Sequence, residues 1–147
     1  MKDRSFSDAQ HLAERVRDTM YATDKAAHAL GMEVASVSPG HATVEMTVRE
    51  DMLNGFGICQ GGLIATLADM AFAYACNSYN ELTVASGFDV DLLGPGKLGE
   101  RLTASARVVS QGSRMGVYDI DVTNPSGERI AVFRGRSYRM KGKQVVT

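Results

Sequence analysis

The stretch NGFGICQGGLIATLAD, residues 54–69, sets the pair Gly61 and Gly62 at the head of a run that continues through DMAFAYAC to Cys76. From Leu63 to Cys76 almost every position is apolar or small, with Thr66 and Asp69 as the exceptions. A helix that is apolar on all sides is a buried helix, so this segment predicts one helix at the centre of the molecule. Asp69 then needs a reason, because a carboxylate in such a segment must be hydrogen-bonded, paired or kept for chemistry. Satisfaction by a neighbouring Ser or Thr and service in a reactive site are the two readings, and the residue alone does not separate them.

Outward from this helix the pattern changes period. On the N-terminal side, SDAQHLAERVRDTMYATDKAAHAL places Leu12, Val16, Met20 and Ala27 at helical spacing, with Ser7 as the expected N-cap and Gly31 just past the end. MEVASVS and HATVEMTVRE alternate around the turn Pro39–Gly40 and predict a β-hairpin. After the helix, alternation returns in TVASGFDVDLL, RLTASARVVS, GVYDIDVT and ERIAVFRGRSYRM, separated by the turn signals GPGKLG, SQGSR and NPSG. Six strands and a lone central helix, preceded by an N-terminal helix, define an α+β fold in which an antiparallel sheet wraps the helix.

The bulk properties agree with one unit. The 147 residues suit a single domain spanning 1–147, and 44% hydrophobic with 22% charged residues is a globular composition. With 16 basic against 17 acidic residues the net charge is -1, which offers nucleic acid no partner. The charged start MKDRSFSDAQHLAERVRD is no secretory signal, and no run reaches the ~20 apolar residues of a membrane span. A cytoplasmic protein is expected. Cys59 and Cys76 lack any metal-ligand spacing and read as free thiols.

The glycine pair suggests what the helix does. N-terminal amides of a helix have no intrahelical acceptor and sit at the positive end of its dipole, so they can hold an oxygen that gains negative charge. Glycine lets a ligand reach them, although a tight turn explains the pair equally well. Gly61 and Asp69 are eight positions apart, roughly 12 Å along the axis at ~1.5 Å per residue. One helix cannot easily bring both to a single carbonyl. If both act on one carbon, the carboxylate comes from a second chain, and the motif predicts a homodimer with two shared sites. Asn54 fits a loop-fixing turn role better than a contact with substrate on local evidence. Cys59 near the helix start would need a base to act as a nucleophile, and His11, His28 and His41 all lie outside the motif.

The residues Asn54, Gly57, Gly61, Gly62, Leu67 and Asp69 resemble the signature N-x-x-G-x-x-H-G-G-x-x-x-x-L-x-D of hot-dog fold thioesterases. With VASGFDVDLLGPGKLGERLTASARVV, QGSRMGVYDIDVTN and AVFRGRSYR the resemblance extends over most of Met32–Met140 and is to the PaaI family of acyl-CoA thioesterases of phenylacetate degradation. It implies a curved antiparallel sheet around one long helix, subunits paired through their sheets, and a homotetramer built as a dimer of dimers. Carried over position by position, it makes Asp69 the nucleophile or general base and Gly61 the amide that polarises the thioester carbonyl, each from a different subunit. Asn54 would orient the thioester or the water, and Ser86 would hold the water. Gln60 stands where the family commonly has His, so any acid-base role of that His is absent here.

The resemblance also gives the downstream cations a use. Lys97, Arg114, Arg134, Arg136 and Arg139 are suited to CoA phosphates, though a solvated sheet edge explains each singly. Met52, Phe56, Met70, Tyr74 and Phe88 could line an aromatic acyl pocket, with core packing as the default. The expected activity is hydrolysis of phenylacetyl-CoA or hydroxyphenylacetyl-CoA without metal or cofactor. A non-catalytic acyl-CoA binding module, suggested by Gln60, is the alternative from another class. A dehydratase or hydratase ranks lower because the motif contains no His.

Overall fold

A sheet whose strands come in the order β1-β2-β4-β5-β6-β3 surrounds the apolar segment in the computed structural model, which describes residues 2–147 and their side chains from Ser7 onward. The strands are β1 (Glu33–Ser38), β2 (His41–Thr47), β3 (Thr83–Leu92), β4 (Arg101–Gln111), β5 (Met115–Thr123) and β6 (Arg129–Arg139), and all neighbours run antiparallel. The helices are α1 (Lys2–Ala22), α2 (Lys25–Ala29) and α3 (Gly61–Asn77). Because α3 packs on all six strands, the sheet has to wrap around it. Register shifts in β1, β3, β4 and at the β5–β6 pairing supply local bends of the kind that tighten a sheet's twist.

The predicted α+β architecture of six strands and a central helix is the one observed, and the β1–β2 hairpin turns at Pro39–Gly40 as expected. The N-terminal helix differs. It begins at Lys2, so Ser7 lies inside α1 rather than capping it, and it breaks at Thr23. Nothing in residues 2–7 is a Gly or Pro, so no breaker makes the chain wait for Ser7. The break has a visible cause: Asp24 Oδ1 accepts from the Ala27 amide at 3.1 Å and starts the short α2, while Asp24 Oδ2 accepts from Tyr74 Oη at 3.0 Å. Gly31, at φ +66°, ends this region as predicted.

The interior of α3 is formed by Ile64, Leu67, Ala68, Ala71, Phe72, Tyr74 and Ala75 against Val44, Met46, Leu102, Ile120 and Phe133 of the sheet. Each fully buried large side chain contributes about 1.5–3 kcal/mol relative to exposure. Phe72 fits because β6 has Gly135 opposite it, where a Cβ would stand 2.8 Å from the ring. The helix end is fastened by Asn77, whose side chain exchanges hydrogen bonds with the backbone of Thr83 at 2.9 and 3.0 Å. α3 is not covered all round, however. Gly62, Ala65, Thr66, Asp69, Met70 and Ala73 are only half-buried or exposed and form a strip that the sheet leaves open.

Candidate active site

Gln60 is the residue before the first turn of α3, with extended ψ, an exposed side chain and no capping hydrogen bond from it. Its carbonyl accepts the Leu63 and Ile64 amides at 2.9 and 3.4 Å, while the Gly61 and Gly62 amides have no acceptor among the described residues. The two free donors point to the start of the helix, where negative charge is stabilised. A cleft of about 580 Å³ lies there, lined by Asn54, Ile58, Cys59, Gly61, Ile64 and Leu92, with Leu93, Gly94 and Pro95 completing the wall. Leu92 is so close that a Cβ on Gly61 would stand 2.4 Å from its Cδ1. That contact was not legible locally, since Leu92 reads only as a residue near the end of a strand.

The loop that presents the cleft is built by Asn54. Its Oδ1 accepts from the amides of Phe56 at 2.9 Å and Ile58 at 3.4 Å, and its own amide donates to Ile58 O at 2.8 Å. These are the turn bonds expected of Asn, and they leave the Nδ2 group of Asn54, beside the cleft, without a partner among the described residues. Cys59 N donates to Gly96 O at 2.8 Å and Gln60 N to Met52 O at 2.8 Å, which pins the loop on both sides.

Asp69 stands two turns further along α3 and does not line this cleft. No hydrogen bond or ion pair reaches its carboxylate among the described residues, and burial alone pushes its pKa up from the ordinary carboxylate value. The neighbouring hydroxyl that could have satisfied it is used elsewhere, since Thr66 Oγ1 donates to Gly62 O at 2.8 Å. Asp69 is thus a partly desolvated, unpartnered carboxylate on the open strip of the central helix.

Other expected site residues are placed apart. Ser86, at the β3 irregularity, donates to Arg136 O at 3.1 Å on an exposed part of the sheet. Cys59 and Cys76 are free and buried, and burial pushes both thiols up, Cys76 to about 12, so neither is a ready thiolate. Met52 and Tyr74 are core residues rather than pocket walls, Tyr74 being tied to Asp24. Phe88 is half-exposed and stacks on Phe133 at 4.7 Å, Met70 is partly buried on the open strip, and Phe56 is 92% exposed.

The structure does not gather Lys97, Arg114, Arg134 and Arg136 into one place. Phe133 and Gly135 face α3, so Arg134 and Arg136 project from the opposite face of the sheet. Arg134 binds Asp119 through two bonds of 2.7 and 2.8 Å, which holds that carboxyl below its usual range, and Arg136 binds Asp89 at 2.9 Å. Arg114 donates to Tyr138 Oη at 2.9 Å, and Lys97 lies in the β3–β4 loop, its amide on Glu100 at 2.7 Å. Among the described residues no group of three or more His, Cys, Asp or Glu is arranged to hold a metal.

A helix N-terminus with open amides, framed by an Asn-built loop and wrapped by this sheet, is the hot-dog arrangement. Residues 56–131 match the Thioesterase superfamily, just over half of the chain, and the chain belongs to that family of enzymes. Within it the chain is 47% identical over 132 residues to the acyl-coenzyme A thioesterase PaaI of Escherichia coli (strain K12), covering 90% of this chain and 94% of that protein. The solved structure of the E. coli PaaI protein from the phenylacetic acid degradation operon superimposes with a TM-score of 0.90 at 46% identity, over 91% of this chain and 97% of that one. A Streptococcus mutans protein solved bound to acetyl CoA matches at 27% identity and a TM-score of 0.74, over 77% and 91% of the two chains. No described helix is long and apolar enough to cross a membrane.

Proposed function

We propose that the chain hydrolyses acyl-CoA thioesters with an aryl-acyl group, phenylacetyl or hydroxyphenylacetyl, as a step of phenylacetate degradation. Each site is shared by two subunits of a homodimer, with Gly61 from one chain and Asp69 of the partner subunit. The observation that carries this reading is the separation on α3: open amides and Asn54 in one cleft, the unpartnered Asp69 two turns away on an uncovered strip. Support for the dimer comes from β3, the last strand of the sheet, which pairs only with β6 and exposes Val84, Phe88 and Leu92. An open strand edge is a template for pairing with a second copy. A homotetramer of two such dimers belongs to the same proposal, as does a cytoplasmic location, which the two unpaired buried thiols support.

The chemistry needs only water as co-reactant and no cofactor. The thioester oxygen lies against the Gly61 amide, and the helix dipole stabilises the charge that develops on it. Asp69 takes a proton from water as the hydroxide adds to the carbonyl carbon, and collapse of the adduct breaks the C–S bond and releases the CoA thiolate, which is then protonated. The same carboxylate can instead add directly and form an anhydride that water opens. Label found in Asp69 after a single turnover in oxygen-18 water identifies the anhydride route, because only water that opens an anhydride at the Asp69 carboxyl carbon leaves its oxygen there. A mixture of Asp69→Asn and Gly61→Val subunits tests the shared site. Random pairing gives half heterodimers with one intact site in two, about one quarter of wild-type thiol release. No recovery on mixing, with both variants folded and exchanging subunits, would place the site within one chain.

A further inference from the structure

The open strip of α3 and the open edge of β3 can be compared level by level. Leu92 packs on Gly61, and Phe72 packs on Gly135, which pairs with Phe88. Eleven helical residues, roughly 16 Å at ~1.5 Å each, therefore accompany four strand residues, roughly 13 Å at ~3.3 Å each. From the Gly61 cleft onward the helix and the strand advance side by side in opposite chain directions. Ala65 is half-buried on the strip, four residues past Gly61 and four before Asp69. Its position roughly 6 Å past Gly61 corresponds to two strand residues, so Ala65 is level with Val90.

A two-fold axis that brings Gly61 of one chain to Asp69 of the partner subunit must cross the pair of helices halfway between these positions, at Ala65, because the rotation exchanges the two antiparallel helices symmetrically. The β3 edge gives the same level independently. Its pairing with β6 is irregular between Ala85 and Gly87 and unbroken from Gly87 to Leu92. That unbroken run is the part able to pair regularly with a second strand, and its centre falls between Asp89 and Val90, within a residue of the level of Ala65. One rotation therefore serves both elements. It also brings Gly57 to the level of the partner's Ala73, so the neighbouring Phe56, 92% exposed in the single chain, gains a cover.

We propose that Ala65 is a positioning residue that stands on this two-fold axis against the partner's Ala65, where its methyl group sets the gap between the two α3 helices and with it the reach from the Gly61 amide to Asp69 of the partner subunit. The proposal rests on the shared-site reading above. Packed helix axes lie about 8–10 Å apart according to the side chains at the contact, and a side chain on the axis meets its own copy, so every added atom counts twice. A misplacement of about 1 Å between reacting groups costs about 10²-fold in rate.

Ala65→Cys tests the position in the full chain. A disulfide needs Cα atoms about 4.4–6.8 Å apart, within reach of two residues that face each other across closely packed helices, whereas the two copies of Ala73 lie roughly 24 Å apart along the helices. Mild oxidation should link Ala65→Cys subunits into a covalent dimer and should link neither Ala73→Cys nor the wild type, whose Cys59 and Cys76 are buried. For the positioning role, Ala65→Leu should lower kcat for phenylacetyl-CoA about 10²-fold with little change in KM or in the thermal melt, while the smaller change Ala65→Ser keeps kcat. Absence of the link in Ala65→Cys, or a wild-type kcat in Ala65→Leu, overturns the proposal. If Asp69→Asn and Gly61→Val subunits complement each other but Ala65→Cys does not link, the axis position alone is wrong; if neither occurs, the shared site falls with it.

Discussion

Substituting Gly61 with Ala separates folding from catalysis at the helix N-terminus. The added Cβ would stand 2.4 Å from Leu92 Cδ1, 3.7 Å from Cγ and 4.0 Å from Cδ2. Leu92 is 52% exposed, so its side chain can turn away, at a cost of about 0.5–1.5 kcal/mol if it leaves its rotamer well. Replacing a helical Gly by Ala returns up to about 1 kcal/mol, less in the first turn. The two nearly cancel, and the net change of within about 1 kcal/mol corresponds to a shift of no more than about 4 °C in Tm for a chain of this length. Turnover behaves differently, because the methyl group occupies the approach to the Gly61 amide. Loss of one oxyanion donor lowers kcat by about 10²–10³. Free-thiol release from phenylacetyl-CoA, read beside a thermal melt, measures both. Adding Leu92→Ala to Gly61→Ala relieves the contact and should restore any lost stability without restoring turnover. A Gly61→Ala enzyme within threefold of wild-type kcat/KM would refute the reasoning, as would activity that returns with the second substitution.

Asp69→Asn keeps the size and removes the charge, so turnover should fall by at least about 10² while binding of the CoA ester, followed by calorimetry, survives; retained turnover would remove Asp69 from the chemistry. The same variant should melt higher at neutral pH. Burial raises the folded-state pKa of Asp69 above its ordinary value of 3.8; below 3.8 both states hold the proton and the residue contributes nothing, between the two values stability falls as pH rises, and above the folded value the whole penalty is present. The gain from Asn should therefore shrink as melts are taken toward pH 3.8, and a constant difference would contradict it. For the reaction, the acid limb of the kcat/KM profile should lie above the range of an ordinary Asp and disappear in the variant. In the core, Gly135→Ala sets a methyl 2.8–2.9 Å from three atoms of the Phe72 ring and should cost about 1–3 kcal/mol by denaturant unfolding, with Phe72→Leu recovering part of it in a double-mutant cycle.

Periodicity carried most of the fold. The six alternating segments became β1 to β6 with ends within a few residues of the predicted ones, and the apolar run became α3, because the 2.0 and 3.6 periods are local consequences of which face is buried. Helix ends were less legible: Ser7 has the chemistry of an N-cap, but α1 starts before it, and the break at Asp24 depends on Tyr74, fifty positions away. Side-chain type was a poor guide to accessibility for Met52 and Tyr74, which are core, and for Arg134 and Arg136, which are spent on Asp119 and Asp89.

The sequence by itself determined the central helix, its glycine-rich N-terminus, the turn-forming Asn54 and the eight-residue interval that keeps Asp69 away from Gly61, since each follows from local geometry and the fixed rise of a helix. Only the tertiary structure decided that β3 lies at the edge beside β6, that Leu92 closes on Gly61, that Asp69 finds no partner among the described residues, and that Arg139 meets Lys141 and Lys143 at one cleft. Those are contacts between segments far apart in the chain, set by how the whole sheet closes around one helix, and no window of residues contains them.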